Sequence, residues 1–157
     1  MRLYVYVLEA RGLPAPPRPR LHGGALFYAK VTVGKHRFRT RAVEPGPGPG
    51  GEDSAAAAAW NEEFVFAVGA EEAEGEEFEV AVARRRRGGR GREVVGAVRL
   101  PVPAATAASP GKRRSVPPTW FTLQPVGDRR KGGGGDDEAA AADCGGCASL
   151  LSRARYA

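Results

Sequence analysis

The stretch Trp60-Asn61-Glu62-Glu63-Phe64-Val65-Phe66 decides how this chain folds. Phe64 and Phe66 alternate with Val65, and a period of two is typical of a β-strand because successive side chains point to opposite faces. We therefore predict a strand from Trp60 to Val68. Alternation also fixes which face of a strand packs inward, so Phe64 and Phe66 are predicted to be buried.

The same alternation recurs on both sides of this stretch, between turn signals rich in glycine and proline. The other predicted strands are Leu3–Leu8, Phe27–Val33, His36–Arg41, Glu77–Ala83, Glu93–Leu100, Thr119–Gln124 and Leu150–Tyr156. The only hint of helix is the alanine run Ala55–Ala59. Short strands separated by turns predict an all-β fold, an eight-stranded antiparallel β-sandwich. Its core is predicted to contain Leu3, Val5, Val7, Val31, Val33, Phe64, Phe66, Val80 and Val82.

Composition divides the chain into a body and a tail. At 157 residues it fits one domain, which we assign to 1–126. Residues 127–146 are rich in Gly, Ala and Asp and are predicted to be a flexible insert. Residues 147–157 are predicted to close the fold as its last strand, although Arg153 and Arg155 weaken the strand pattern. Cys144 and Cys147 have the spacing of half a zinc site or of a redox pair, but no second pair accompanies them, so we expect free thiols in a flexible tail.

The charge favours anionic partners without choosing among them. The chain carries a net charge of +6 and has a pI of about 9.8, which suits a membrane, nucleic acid or an acidic protein. No catalytic set and no phosphate loop is visible, so we expect a protein that is not an enzyme and needs no cofactor. No segment is long and apolar enough to span a bilayer or to serve as a signal peptide, and we predict a cytoplasmic, peripheral membrane location.

Several motifs resemble those of the C2 domain family. The pattern Leu-x-Val-x-Val-x-x-Ala-x-x-Leu from Leu3 to Leu13 resembles its opening strand, and the Trp60–Phe66 stretch resembles its most specific signature, Trp-Asn-Glu-x-Phe-x-Phe. Supporting matches are Tyr28-Ala29-Lys30-Val31, Arg39-Thr40 and Gly96. Met1–Val7 and Pro118-Thr119-Trp120-Phe121 look like plant proteins that join C2 and GRAM domains. The resemblance implies a β-sandwich of the permuted type II topology, in which the strand that some C2 domains place first comes last.

The departures from the family pattern bear on calcium. Calcium-binding members carry aspartates in two loops, whereas 14–25 contains no acidic residue and Arg84 and Arg86 occupy the two aspartate positions of the other loop. Glu93 is the one acidic residue near that loop. Calcium takes six to eight oxygen ligands, so the resemblance together with these departures implies a calcium-independent domain without a metal site.

Two sets of residues, mostly basic, are candidate anion sites. One is the run between the predicted fifth and sixth strands, whose cations are Arg84, Arg85, Arg86, Arg87, Arg90 and Arg92. Guanidinium groups bind phosphate bidentately, and the resemblance places this loop at the membrane-facing tip. The other set is Tyr28, Lys30, Arg37 and Arg39, which the resemblance places on the concave face that binds phosphoinositide head groups in many C2 domains.

We predict binding to anionic membrane lipids, phosphoinositide or phosphatidylserine, through these basic residues. The first alternative is a protein-interaction module of the same fold that binds acidic segments. The second is non-specific RNA binding by the Arg-Gly run; it is disfavoured because nucleic-acid grooves interleave aromatic residues and 84–92 contains none. Calcium-dependent lipid binding is disfavoured by the missing carboxylates.

Overall fold

A computed structural model of the chain describes residues 2–14, 24–48, 55–69, 77–86, 91–102, 117–126 and 148–156. They form two antiparallel sheets of four strands each, which confirms the predicted β-sandwich. The strands are β1 (Arg2–Leu13), β2 (Ala25–Val33), β3 (His36–Arg39), β4 (Ala56–Ala67), β5 (Glu77–Arg86), β6 (Arg92–Pro101), β7 (Thr119–Thr122) and β8 (Ser149–Tyr156). The predicted flexible insert, with Cys144 and Cys147, lies outside the described residues.

The strand order brings the two ends of the chain together. Sheet A has the order β4-β1-β8-β7, and sheet B has the order β3-β2-β5-β6. The last strand, β8, is therefore an internal strand beside the first, with Leu3 opposite Tyr156. Ser152 on β8 is buried, and its Oγ donates a 2.8 Å hydrogen bond to the Tyr6 carbonyl of β1. This bond satisfies a hydroxyl that would otherwise be costly to bury.

The core lies between the sheets and follows the predicted alternation. All of the predicted core residues are buried except Phe64, which is only partly buried against the core. Trp60 is 1% exposed, and its Nε1 donates a 3.3 Å hydrogen bond to the Phe27 carbonyl. Because Trp60 lies on β4 of sheet A and Phe27 on β2 of sheet B, this bond joins the two sheets.

The alanine run forms a strand and not a helix. Ala56 and Ala58 belong to β4, lie opposite Leu13 and Ala10 of β1, and are buried. The hint of helix was wrong because alanine, although the strongest helix former, is favoured over most residues by less than about 1 kcal/mol, and cross-strand pairing and burial outweigh that preference.

A β-bulge gives the Trp60-Asn61-Glu62 signature its structure. Trp60 and Asn61 together oppose the single residue Leu8 of β1. Asn61 has a φ of 53°, in the left-handed region that asparagine tolerates better than other residues with a Cβ. The Glu62 carboxylate then accepts a 3.0 Å hydrogen bond from the backbone N–H of Arg41, which ties the segment after β3 to β4.

Candidate anion-binding surface

The arginine run lies partly within strands. Residues 84–86 belong to β5, Arg92 begins β6, and 87–90 lie outside the described residues. The prediction that the whole run is a loop was therefore wrong at both ends. The strands extend this far because β2 also continues, and Phe27 and Leu26 pair with Arg84 and Arg85.

Arg84 is paired with an acidic residue. It lies opposite Glu93 across β5 and β6, with its Nε 2.8 Å and its Nη2 2.7 Å from Glu93 Oε2. The Arg84 side chain is 23% exposed. The charge of Arg84 is thus compensated, and the Glu93 carboxylate is occupied by its guanidinium group.

Arg85 and Arg92 have a different environment. They lie directly opposite each other on β5 and β6, and both are exposed. Alternation puts Arg85 on the outer face of sheet B, since its neighbour Ala83 is opposite Tyr28, which alternates with the core residues Phe27 and Ala29. Like charges directly opposite each other are unfavourable in a sheet, so an anion between the two guanidinium groups would be stabilising.

The second candidate set lies on the same outer face. Lys30 is opposite Arg39, and Arg37 is opposite Thr32, so the alternation of β2 brings these cations to one side. Arg37 and Arg39 are exposed and Lys30 is half-buried. Tyr28 shares the face but is 8% exposed, so little of its ring is accessible.

The two candidate sites therefore form one surface, which we call the basic face. Strands in a sheet are about 4.8 Å apart, so Lys30 and Arg39 are near neighbours. Three alanines occupy positions between the basic residues and are buried by their neighbours, Ala81, Ala83 and Ala97. The basic face consists of Lys30, Arg37, Arg39, Arg85 and Arg92.

Charge is distributed unevenly along this side of sheet B. Glu77 and Glu79 lie on the outer face at the end of β5 away from Arg85. Glu79 Oε2 is 3.3 Å from Arg99 Nε, so this acid is partly compensated. An anionic surface that approaches the basic face is attracted most strongly at the end that carries Arg85 and Arg92.

The outer face of sheet A carries an array that the sequence prediction missed. Arg155 and Arg153 of β8 lie over the rings of Tyr4 and Tyr6 of β1, with guanidinium carbons 4.6 Å and 5.3 Å from the ring centroids. Arg11 lies 4.5 Å over the ring of Trp120, which is 41% exposed. The available signal was the matching alternation of tyrosine in β1 and arginine in β8.

The described residues offer no sign of a metal site or of a membrane-spanning helix. No group of three His, Cys, Asp or Glu side chains converges among them. None of these residues forms a helix long and apolar enough to cross a bilayer.

Comparison with known families identifies the chain. The model of the C2 domain family matches residues 1–123, most of the chain, and this chain belongs to the C2 domain family. The match confirms the family inferred from the Trp60–Phe66 and Leu3–Leu13 motifs.

Solved structures show the same fold at low sequence identity. A C2 domain of plant extended synaptotagmin 1 is 18% identical, with a TM-score of 0.59, and the alignment covers 98% of this chain and 91% of that one. A calcium-bound pair of C2 domains from extended synaptotagmin 2 gives 17% identity and a TM-score of 0.61 over 98% of this chain and 44% of the other. Human GIVD cytosolic phospholipase A2 is 17% identical, with a TM-score of 0.57, and the alignment covers 98% of this chain and 16% of that one.

Proposed function

We propose that this C2 domain binds anionic phospholipid membranes without calcium, through the basic face. The observation that carries the proposal is the position of Arg85 and Arg92. They are exposed, lie opposite each other, and share a face with Lys30 and Arg39. The domain acts by binding and not by catalysis, as a peripheral protein on the cytoplasmic side of a membrane.

The energetics suit reversible attachment. Each Lys or Arg near an anionic surface contributes about 1 kcal/mol. The five cations of the basic face supply several kcal/mol if they approach the membrane together. This binding free energy is comparable to that of one myristoyl chain, which by itself gives only marginal, reversible membrane binding. The contribution of exposed charges is screened by salt, so the affinity falls as ionic strength rises.

Head-group preference comes from the middle of the basic face. Lys30 and Arg39 are directly opposite, and Arg37 lies two residues from Arg39 on the same side. Guanidinium groups bind phosphate bidentately, while an ammonium acts as a point charge. Together they suit a head group with clustered phosphates, so phosphoinositide is bound more tightly than phosphatidylserine.

The ligands that this sequence provides support binding without calcium. Residues 14–25 contain no acid, and Glu93 is held by Arg84. Calcium takes six to eight oxygens, usually with several carboxylates. Where β5 and β6 meet the arginine run, a cation would meet arginines and the already paired carboxylate of Glu93, and the described residues contain no cluster of acidic side chains that could hold it.

Vesicle co-sedimentation tests the proposal. The protein is mixed with vesicles of neutral lipid alone, or of neutral lipid with phosphatidylserine or a phosphoinositide, each with calcium or with chelator. We expect binding to the anionic vesicles only, at the same level in calcium and in chelator. Binding that requires calcium, or that is equal on neutral vesicles, would show the proposal to be wrong.

A further inference from the structure

The outer face of sheet A holds two arginines with unmet hydrogen-bonding capacity. The Nε atoms of Arg153 and Arg155 are buried and have no hydrogen-bond partner. No carboxylate in the described part of the chain forms an ion pair with either residue. Because these Nε atoms are inaccessible to solvent, an anion would have to pair with the terminal Nη groups of the same two guanidinium groups.

The two guanidinium groups are held by aromatic rings. Arg155 lies over Tyr4, and Arg153 lies over Tyr6, at 4.6 Å and 5.3 Å from the ring centroids. Arg155 is also 5.7 Å from the Tyr6 centroid, so the four side chains form one contiguous cluster. A guanidinium group that lies over a ring can still offer its terminal Nη–H groups to an anion and its outer plane to another flat group.

The acidic residues on this face are already engaged. Glu9 pairs with Arg11. Glu63 is hydrogen-bonded to the Tyr6 hydroxyl, which raises the pKa of Tyr6, and burial adds to the rise while the charge of Arg155 opposes it. Glu63 keeps its negative charge, but neither Glu9 nor Glu63 forms an ion pair with Arg153 or Arg155, so the two guanidinium groups remain available to an anion.

We propose that the outer face of sheet A binds single-stranded nucleic acid, with Arg153 and Arg155 on their tyrosines as the base-stacking and phosphate-binding platforms. Bases stack on aromatic rings and on guanidinium planes, and phosphates pair with arginine. The Arg-Gly run has no aromatic residues, but this sheet supplies them together with cations. The proposal is independent of lipid binding, which uses the opposite sheet.

The spacing of the platforms selects the form of the nucleic acid. Residues two apart on a strand are about 6.8 Å apart. That is about twice the 3.4 Å rise per nucleotide of a duplex strand. Neighbouring bases that each contact one platform must therefore be splayed, which a single strand permits and a duplex does not. We infer a preference for single strands that general electrostatic attraction would not produce.

Fluorescence anisotropy tests the proposal with a labelled single-stranded RNA of about 12 nucleotides, within the usual range of site sizes, and with its duplex. The full chain should bind the single strand more tightly. The affinity of the double variant Arg153→Gln, Arg155→Gln for the single strand should fall at least about fivefold for each arginine removed. The matched control Arg37→Gln, Arg39→Gln removes the same charge from sheet B and should keep the single-strand preference.

A conservative variant separates stacking from charge. Arg153→Lys with Arg155→Lys keeps the aliphatic stems and the charges but removes the planar groups, so it should fold, keep its salt-dependent attraction and lose the single-strand preference. This variant decides the question if the glutamine variant does not fold, as judged by circular dichroism. Equal binding of single strand and duplex by the parent, or an unchanged preference in the lysine variant, would overturn the proposal. So would a loss of vesicle binding but not of RNA binding in the glutamine variant.

Discussion

Arg84 and Glu93 form a close ion pair across β5 and β6, with Arg84 Nη2 2.7 Å from Glu93 Oε2, while the next pair along the same two strands is Arg85 opposite Arg92. A run of identical residues thus contains members with opposite roles. The charge of Arg84 is compensated by Glu93, whereas its neighbour Arg85 adds an exposed positive charge to the basic face.

Glu93→Gln should strengthen binding to anionic vesicles, because it releases Arg84 and removes a negative charge. Glu93 is 61% exposed, so the ion pair contributes at most about 1 kcal/mol and the fold should remain intact. Conversely, Arg84→Gln should weaken binding less than Arg85→Gln does. Vesicle titrations of the three variants check this order, and equal losses for the two arginine variants would contradict the assigned roles.

Millimolar calcium should leave the melting temperature unchanged. A ligand that binds only the native state stabilises it by mass action, and the described residues contain no acidic cluster that could hold the ion. Differential scanning fluorimetry with calcium and then with chelator measures this. A rise in melting temperature that chelator reverses would show that other oxygen ligands of the chain hold the ion.

Most of the fold was predictable because one face of each strand is buried. The alternation in Leu3–Leu8 and Phe27–Val33 assigned the faces of β1 and β2 correctly. The alanine run could not be assigned in this way, because alanine has no strong preference for strands and the pairing with β1 that makes it a strand is non-local. The Arg84–Glu93 pair likewise depends on the register of β5 and β6, which the sequence does not state.

The sequence identified every residue of the basic face as a candidate, but it did not show that they lie on the same face of one sheet. Arg85 and Lys30 belong to candidate sites that looked separate along the chain. Only the register of β5 on β2 places them on one side of sheet B. The stack of Arg155 on Tyr4 joins residues from the two ends of the chain, so the alternations of tyrosine and arginine become a contact only through the pairing of β8 with β1.

Asn61→Ala should destabilise the protein by about 1 kcal/mol, because alanine is strained at a φ of 53° where asparagine is tolerated. Asn61→Gly should cost little, since glycine adopts this conformation freely. Urea denaturation of both variants measures the difference. If alanine and glycine are equally destabilising, the side chain of Asn61 matters and not its backbone conformation.

Gly96→Ala should destabilise the protein by about 1–3 kcal/mol through overpacking. A Cβ at this position would lie 2.9 Å from Leu123 Cβ and 3.0 Å from the Gln124 carbonyl oxygen. That oxygen cannot retreat easily, because it accepts a 2.9 Å hydrogen bond from the Ala97 N–H. Gly46→Ala is the control, since no atom lies within 4 Å of its added Cβ. Thermal melts of both variants should show a lower melting temperature for Gly96→Ala and an unchanged one for Gly46→Ala.

Co-sedimentation with phosphatidylserine vesicles in chelator, comparing the parent with Arg85→Gln, Arg92→Gln, tests the central claim most directly. Removing both cations should cost about 2 kcal/mol, roughly a 30-fold loss of affinity. The matched variant Arg153→Gln, Arg155→Gln removes the same charge from sheet A and should bind nearly as well as the parent. If the sheet B variant binds like the parent, or if both variants lose affinity equally, the basic face is not the membrane-binding surface.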